Sequence, residues 1–134
     1  MAKLTEQQRE FLANPYVGVA TTLRSDGSPH NTVVWMEAED DAVLFNTAED
    51  RAKAKHLGSD PRVALTVVDP QNPWKWVSVT GRAEVTRENA DAQIDRLAKK
   101  YIDQDVYPFR KPEEQRVQVR ITPEKIDAAG FGEE

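Results

Sequence analysis

Arg51, Lys53 and Lys55 occupy every second position of a short segment, in a chain whose formal net charge is -5. Arginine binds phosphate through its planar fork of N–H donors, and lysine binds it as a compact point charge. The chain has no cysteine, and His30 and His56 are its two histidines, so a zinc site or a thiol nucleophile is not expected. These residue types predict local binding of an anion rather than metal or thiol chemistry.

The basic positions fall in a segment, residues 48–57, that predicts a short helix with Thr47 as its N-cap. An ordinary solvated helix surface is one interpretation of this segment. It leaves Arg51 and Lys53 unexplained, because they lie near the helix start, where the helix dipole disfavours cations. Free backbone N–H groups in the first turn, with Asn46 and Thr47 at the preceding strand end, can hold a phosphate there. A phosphate bound above Arg51 and Lys53 is therefore the second interpretation of this segment.

Extended segments surround this helix along the chain. Alternating and β-branched residues predict six strands, at residues 16–23, 28–39, 42–47, 61–70, 74–86 and 116–122. Helices are also predicted at residues 4–15, where Thr5 and Gln8 form a capping box, and at residues 88–104, where apolar residues recur at helical spacing. Gly81 predicts a bulge in the fifth strand. Because the alternating βαβ pattern is missing, we predict a mainly β fold: a small, mostly antiparallel barrel with short helices.

Composition limits the possible partners. An excess of 23 Asp and Glu over 18 Lys and Arg argues against a broad electrostatic surface for nucleic acid or an anionic membrane. The polar N-terminal stretch has no apolar signal core, and no run approaches the roughly 18 apolar residues of a membrane span. The 134 residues fit one compact domain, residues 1–134. We expect a cytoplasmic protein that binds no metal, no nucleic acid and no membrane.

The chain resembles the flavin/deazaflavin oxidoreductase superfamily related to pyridoxamine 5′-phosphate oxidase in three stretches, VGVATTLRSDGSPHNTVVW, FNTAEDRAKAKHLGSDPRVAL and WVSVTGRAEVT. The likeness covers about residues 4–126. Within the superfamily the chain looks most like the short actinobacterial branch that uses the deazaflavin coenzyme F420. Arg51, Ala52 and Lys53 carry that likeness, because FMN-dependent pyridoxamine phosphate oxidases usually place the arginine and the lysine side by side.

The resemblance implies a six-stranded antiparallel split β-barrel of the FMN-binding type, which pairs into a homodimer with two cofactor sites between the subunits. It implies that Arg51 and Lys53 hold the cofactor phosphate, and that Lys55 meets the oligoglutamate tail of F420. Trp76 is interpreted as barrel core, as dimer interface, or as a wall beside the cofactor of the partner chain. The candidate cofactor-binding residues are His30, Asn31, Thr32, Asn46, Thr47, Ala48, Arg51, Ala52, Lys53, Lys55 and Trp76.

For the reaction, the resemblance implies hydride transfer from reduced F420 to an electron-poor double bond of a small-molecule substrate. The cofactor carries the difficult step, so no catalytic residue is predicted, and Tyr16, Tyr101 and Tyr107 are not ranked as proton donors. His30 has no acidic partner in the sequence pattern and is not predicted to be a base. Two alternatives stay open: an FMN-dependent oxidoreductase on the same barrel, and a protein that binds or carries F420 without turnover.

Overall fold

A single antiparallel sheet of seven strands and three helices make up the protein, whose computed structural model describes residues 2–132. The helices are α1 (Glu6–Leu12), α2 (Ala52–Ser59) and α3 (Ala90–Ile102). The strands are β1 (Gly18–Leu23), β2 (Pro29–Val34), β3 (Met36–Glu39), β4 (Ala42–Ala48), β5 (Arg62–Asp69), β6 (Asn72–Thr86) and β7 (Arg116–Ala129). The predicted mainly β fold with short helices is confirmed.

The order of strands in the sheet is β2-β1-β5-β6-β7-β4-β3, and every neighbouring pair is antiparallel. β2 and β3 therefore lie at opposite edges of the sheet, although Trp35 alone separates them in sequence. Two strands that are consecutive in sequence can lie at opposite edges only if the sheet curls until these edges meet at Trp35. The result is the predicted split barrel, with seven strands rather than six, because the extended run of residues 28–39 pairs with β1 before this corner and with β4 after it.

Two glycines allow the strands to turn and bend. Gly27, with φ of 85°, completes the turn between β1 and β2, and no ordinary side chain adopts that conformation readily. The pairing of β6 with β7 shifts register between Thr80 and Gly81, as the sequence predicted. A Cβ atom on Gly81 would lie 2.0 Å from the backbone oxygen of Thr122, so only glycine permits this approach. The bulge lets the 15-residue β6 bend and pair with β5 and β7 along its length.

The apolar core fills the inside of the curled sheet, and β4 is buried at all seven of its positions. Val43 and Phe45 of β4 face the core, whereas Asn46 faces α3. α3 packs on β4 and β7 through the apolar face that its helical spacing predicted, which consists of Ala90, Ile94, Leu97 and Ala98. β4 thus lies between two layers, and the polar residues at its end are held from both sides.

The start of α2 differs from the prediction. Thr47 was predicted to cap a helix over residues 48–57, but it lies within β4 and pairs with Val117 of β7. Strand pairing continues to Ala48, so the backbone stays extended and the helix begins only at Ala52. Arg51 takes the N-cap position, and no side chain caps the first turn. The N-terminus of α2 therefore has no side-chain cap, directly beside the end of β4.

α1 begins as predicted, with the Thr5 and Gln8 side chains each bonded to the other residue's backbone N–H. Asn14 then bonds the carbonyl groups at the end of the helix. α1 covers one end of the barrel, where Phe11 and Leu12 join the core. In the part of the chain that the structure describes, none of the helices has the length and apolar character needed to cross a membrane.

Candidate functional site

A cavity of about 190 Å³ lies where the ends of β2 and β4 meet the start of α2 and the side of α3. Its lining combines cationic, amide and aromatic side chains from segments far apart in sequence. The lining residues are Val33, Val34, Trp35, Asn46, Thr47, Arg51, Lys53, Ile94, Tyr107, Phe109 and Arg116. The cavity contains four of the predicted cofactor-binding residues, Asn46, Thr47, Arg51 and Lys53.

Lys53 is the most unusual charge in this cavity. Its side chain is only 9% exposed, and within residues 2–132 no carboxylate or other hydrogen-bond partner contacts its ammonium group or the Arg51 guanidinium. Burial, and then the positive charges of Arg51 and Arg116, lower the pKa of Lys53 below its usual range. A buried cation without a partner is costly, so the cavity favours a ligand that supplies negative charge.

Arg116 is the third cation of the cavity, and it is not among the residues predicted from the sequence. Its side chain is buried, with one terminal nitrogen donating to Glu114 Oε1 at 2.6 Å and Nε donating to Asn46 Oδ1 at 2.8 Å. The guanidinium also lies 5.3 Å from the ring centre of Tyr107. Arg116 reaches the cavity because β7 pairs with β4 and sets it opposite Ala48. No local motif marks it, since the pairing joins segments that are distant in sequence.

Asn46 holds two of these elements together. Its side-chain amide nitrogen donates to the backbone oxygen of Ala90 at 2.9 Å and to Gln93 Oε1 at 2.8 Å, while its oxygen accepts from Arg116. These side chains are buried, and buried polar networks are rigid when their members are paired; here Gln93 Nε2 alone has no hydrogen-bond partner among the described residues of the network. Asn46 therefore fixes Arg116 relative to α3, in addition to lining the cavity.

An aromatic wall forms the other side of the cavity. The rings of Trp35 and Tyr107 meet edge to face at 5.9 Å, and Tyr107 and Phe109 meet in the same manner at 5.7 Å. Asp95 of α3 accepts from the backbone N–H of Tyr107 at 2.9 Å and holds the loop in place. Phe109 is 64% exposed, so its ring forms the rim. Such a wall offers a planar, conjugated ligand an apolar surface beside the cations.

The structure places two predicted residues of β2 next to the cavity rather than in it. His30 and Thr32 point to the same side of β2, and His30 Nδ1 and Thr32 Oγ1 are buried without a hydrogen-bond partner among the described residues. The rings of His30 and His56 meet edge to face at 5.0 Å. Burial, and then the charges of Arg24, His56 and Lys53, lower the pKa of His30, so its ring favours the neutral form.

The remaining predicted residues lie outside the cavity lining. Ala48 is fully buried at the end of β4, and Asn31 is exposed on β2, where it accepts from Thr21. Ala52 and Lys55 are exposed on α2. Trp76 lies on β6, paired with Val68 and Ala129. Ala48 pairs with Arg116 and accepts from the backbone N–H of Arg51, and Lys55 donates its backbone N–H to the Arg51 oxygen, but none of these residues lines the cavity. Their predicted role in cofactor binding stays a prediction.

The curled antiparallel barrel, with its cationic and aromatic cavity beside the end of β4, has the split-barrel fold of the pyridoxamine 5′-phosphate oxidase type. Residues 4–129 match the family model described as pyridoxamine 5′-phosphate oxidase, and the chain belongs to this family. The match extends from the residues before α1 to the last residue of β7. The family resemblance drawn from the sequence is thereby confirmed.

Individual relatives carry more specific names. The chain is 27% identical over 124 residues to the F420H(2)-dependent biliverdin reductase of Mycobacterium tuberculosis, covering 92% of this chain and 87% of that protein. A solved structure named F420 reductase is 26% identical, with a TM-score of 0.79, and the match covers 92% of this chain and 98% of the other. A conserved hypothetical protein of Mycobacterium tuberculosis, 24% identical with a TM-score of 0.73, shares the fold over 94% of this chain and 84% of its own.

Proposed function

We propose that this protein is an F420-dependent oxidoreductase, which reduces an electron-poor C=C, C=N or similar double bond of a small molecule. The observation that carries the proposal is Lys53, a buried cation that has no partner within residues 2–132 and shares the cavity with Arg51 and Arg116. An anionic group of a ligand would balance this charge. The F420-related names of two relatives, at 27% and 26% identity, support F420 as that ligand.

The residues of the cavity fit a phosphate-bearing, planar cofactor. The first turn of α2 has no side-chain cap, so its backbone N–H groups and the flanking cations can bind a phosphate group together. Arg51 is exposed and offers a fork of donors, whereas Lys53 is buried and adds a charge in a low-dielectric position. Thr47, at the end of β4, adds a hydroxyl group to the same edge.

When bound, F420 supplies the hydride chemistry, and the protein supplies binding and orientation. Trp35, Tyr107 and Phe109 would lie along the planar part of the ligand and keep water from it. Arg116, already paired with Glu114, adds a fixed positive field and is not free to move toward the ligand. Among the described residues that line the cavity no acid or base is arranged as a relay, so we expect the accompanying proton to come from solvent or from a donor not yet identified.

FMN is the second candidate, because the matched family is described as pyridoxamine 5′-phosphate oxidase. Ala52 separates the arginine from the lysine in this chain, and this spacing favours F420. A protein that binds F420 without turnover is a third candidate. Titration of the purified protein with each cofactor, followed by fluorescence, distinguishes the first two. Tight FMN binding without any response to F420 would overturn the choice of cofactor.

Turnover is tested with reduced F420 and a panel of enones, quinones and tetrapyrroles. Oxidation of the cofactor by at least one class supports the reductase, whereas binding without oxidation across the panel supports the carrier. Arg51→Ala and Lys53→Ala should each weaken F420 binding by roughly 1 to 3 kcal/mol, the usual scale of a charge-assisted contact. Lys125→Ala is the control, since Lys125 is exposed on β7, does not line the cavity and is not a predicted cofactor-binding residue. Unchanged F420 affinity in both variants would mean that the basic segment is an ordinary solvated helix surface.

We also propose that two copies of the chain pair through the outer face of β1, β2 and β5. Val19 and Val33 lie opposite each other on β1 and β2, and they are 42% and 65% exposed. Val17 and Val68, exposed by 49% and 42%, continue this apolar face. Sedimentation at micromolar concentration should show a dimer that Val19→Asp dissociates; a wild-type monomer would exclude it. The cytoplasmic location stays a prediction.

A further inference from the structure

Trp35 has two roles that depend on its exact orientation. It is the single residue between β2 and β3, where the two edges of the sheet meet, and its indole ring lines the cavity. A side chain at such a corner is only half-buried and could adopt more than one rotamer. The surface that the cavity presents to a planar ligand therefore depends on what fixes the indole plane.

Tyr101 of α3 contacts this corner through both its ring and its hydroxyl group. The rings of Trp35 and Tyr101 are stacked, with their centres 5.3 Å apart and their planes at 5°. The Tyr101 hydroxyl donates to the backbone oxygen of Tyr16 at 2.6 Å and accepts from the backbone N–H of Met36 at 3.1 Å. It therefore joins the residue after Trp35 to the segment that leads into β1.

Lys100, the neighbour of Tyr101, fixes the same corner from α3. Its ammonium group donates to the backbone oxygens of Met36 at 2.7 Å and Leu12 at 2.8 Å. Two consecutive residues of α3 thus bind the backbone on the C-terminal side of Trp35. α3 also carries Gln93, which contacts Asn46 beside the cations. One helix consequently holds both the aromatic wall and the cationic side of the cavity.

We propose that Tyr101 is a positioning residue whose ring sets the plane of Trp35 in the wall of the cofactor cavity. The proposal rests on the proposed function in that the planar ligand is taken to be F420. Tyr101 does not line the cavity and acts through Trp35. The stacked ring restricts the indole from one face, and the edge of Tyr107 restricts it from another side. A ligand that packs on Trp35 then meets a surface that needs no reordering.

Two variants separate the ring of Tyr101 from its hydroxyl group. For circular dichroism both are made with Trp74→Phe and Trp76→Phe, which leave Trp35 as the only tryptophan of the chain, whereas ligand binding is measured in chains that keep Trp74 and Trp76. Tyr101→Phe keeps the ring and should retain the near-ultraviolet circular dichroism of Trp35, read at long wavelengths where tyrosine does not absorb. Tyr101→Leu removes the stack and should lose that signal and weaken F420 binding about threefold to tenfold, the scale of an aromatic pair.

Binding of inorganic phosphate separates positioning from a general loss of structure. Tyr101→Leu leaves Arg51 and Lys53 untouched, so its phosphate affinity should stay within about twofold of the parent while its F420 affinity falls. Val79→Ala, in the core of β6, is the control for lowered stability alone and should leave the Trp35 signal and both affinities unchanged.

Retention of the Trp35 signal and of F420 affinity in Tyr101→Leu would overturn the proposal. If that variant does not fold, Tyr101→Phe decides the question, because loss of the Trp35 signal with the ring still present would show that stacking does not set the indole plane. Failure of the parent protein to bind F420 would refute the proposed function instead. The circular dichroism comparison, which needs no ligand, would still test Tyr101.

Discussion

Replacing Lys53 with methionine should make the ligand-free protein more stable and its anion binding weaker. Lys53 is 9% exposed at the start of α2, and within residues 2–132 its ammonium group has no partner. Methionine keeps the length of the side chain and its helix propensity while removing the charge. The substitution therefore separates the cost of burying a cation from the packing of its stem.

The expected gain follows from the surroundings of the ammonium group. Desolvation and the charges of Arg51 and Arg116 oppose its protonated form, and no carboxylate of the described residues contacts the ammonium group itself. Removal of a poorly compensated buried charge is expected to raise the free energy of unfolding by about 1 to 2 kcal/mol at neutral pH. Phosphate affinity should fall about 5- to 150-fold, which corresponds to roughly 1 to 3 kcal/mol for a charge-assisted contact.

The pH dependence of this difference has a definite sign. Because the pKa of Lys53 is lowered in the folded protein, the unfolded chain binds more protons between the folded value and the ordinary value of 10.5. The stability of the parent protein should therefore rise with pH across that window, relative to Lys53→Met. The advantage of the variant should be fully present below the folded pKa and should shrink as pH rises through it.

Urea unfolding with and without inorganic phosphate measures both effects, since a ligand that binds only the folded state stabilises it in proportion to its affinity. Lys55→Met is the matched control, because Lys55 is exposed on the same helix, and its stability should change by less than about 0.5 kcal/mol. Lys53 would not be a costly, anion-binding cation if Lys53→Met were less stable than the parent without phosphate and phosphate stabilised both proteins equally.

Three further predictions concern the framework of the site. Gly81→Ala should lower the free energy of unfolding by more than about 2 kcal/mol in urea, because its Cβ would meet the oxygen of Thr122 at 2.0 Å. Arg116→Met should cost about 3 to 5 kcal/mol by the same assay, since it leaves the carboxylate of Glu114 buried and unpaired; a loss below about 1 kcal/mol would contradict this. Burial lowers the pKa of Lys100 to about 8, so the parent should gain stability relative to Lys100→Met as pH rises from about 8 to 10.5, measured by thermal unfolding.

The fold could largely be predicted because its signals are local. Alternating strands, the capping box at Thr5 and the bulge at Gly81 each depend on a few neighbouring residues, and the structure bears them out. β3 could not be separated from β2, since residues 28–39 form one uninterrupted extended pattern. Only the pairing partners on either side of Trp35 divide it. Thr47 was misassigned as a cap because its pairing with Val117 outweighs a favourable local capping sequence.

The part of the site that lies within one short segment of the sequence was predictable. Arg51 and Lys53 are two residues apart, and their unfavourable place at a helix start was visible in the sequence. Arg116 enters the cavity only through the pairing of β4 with β7. Tyr107 and Phe109 lie in a loop without periodicity, and the contact of the Tyr107 backbone with Asp95 gives that loop its place. Residue spacing in the sequence thus could not predict the site residues that only tertiary contacts bring together.

The Trp35 corner also bears on the order in which the protein assembles. Joining the two edges of a barrel ordinarily requires a long loop to close, with an entropy cost that grows with its length. Here the chain links these edges through a single residue, so that cost is almost absent, and the slow contacts are those between β4 and β7, more than 60 residues apart. Trp35 reaches the cavity through the chain connection itself, whereas Arg116 reaches it only when β7 docks on β4. Full ligand affinity is therefore expected to develop late in folding.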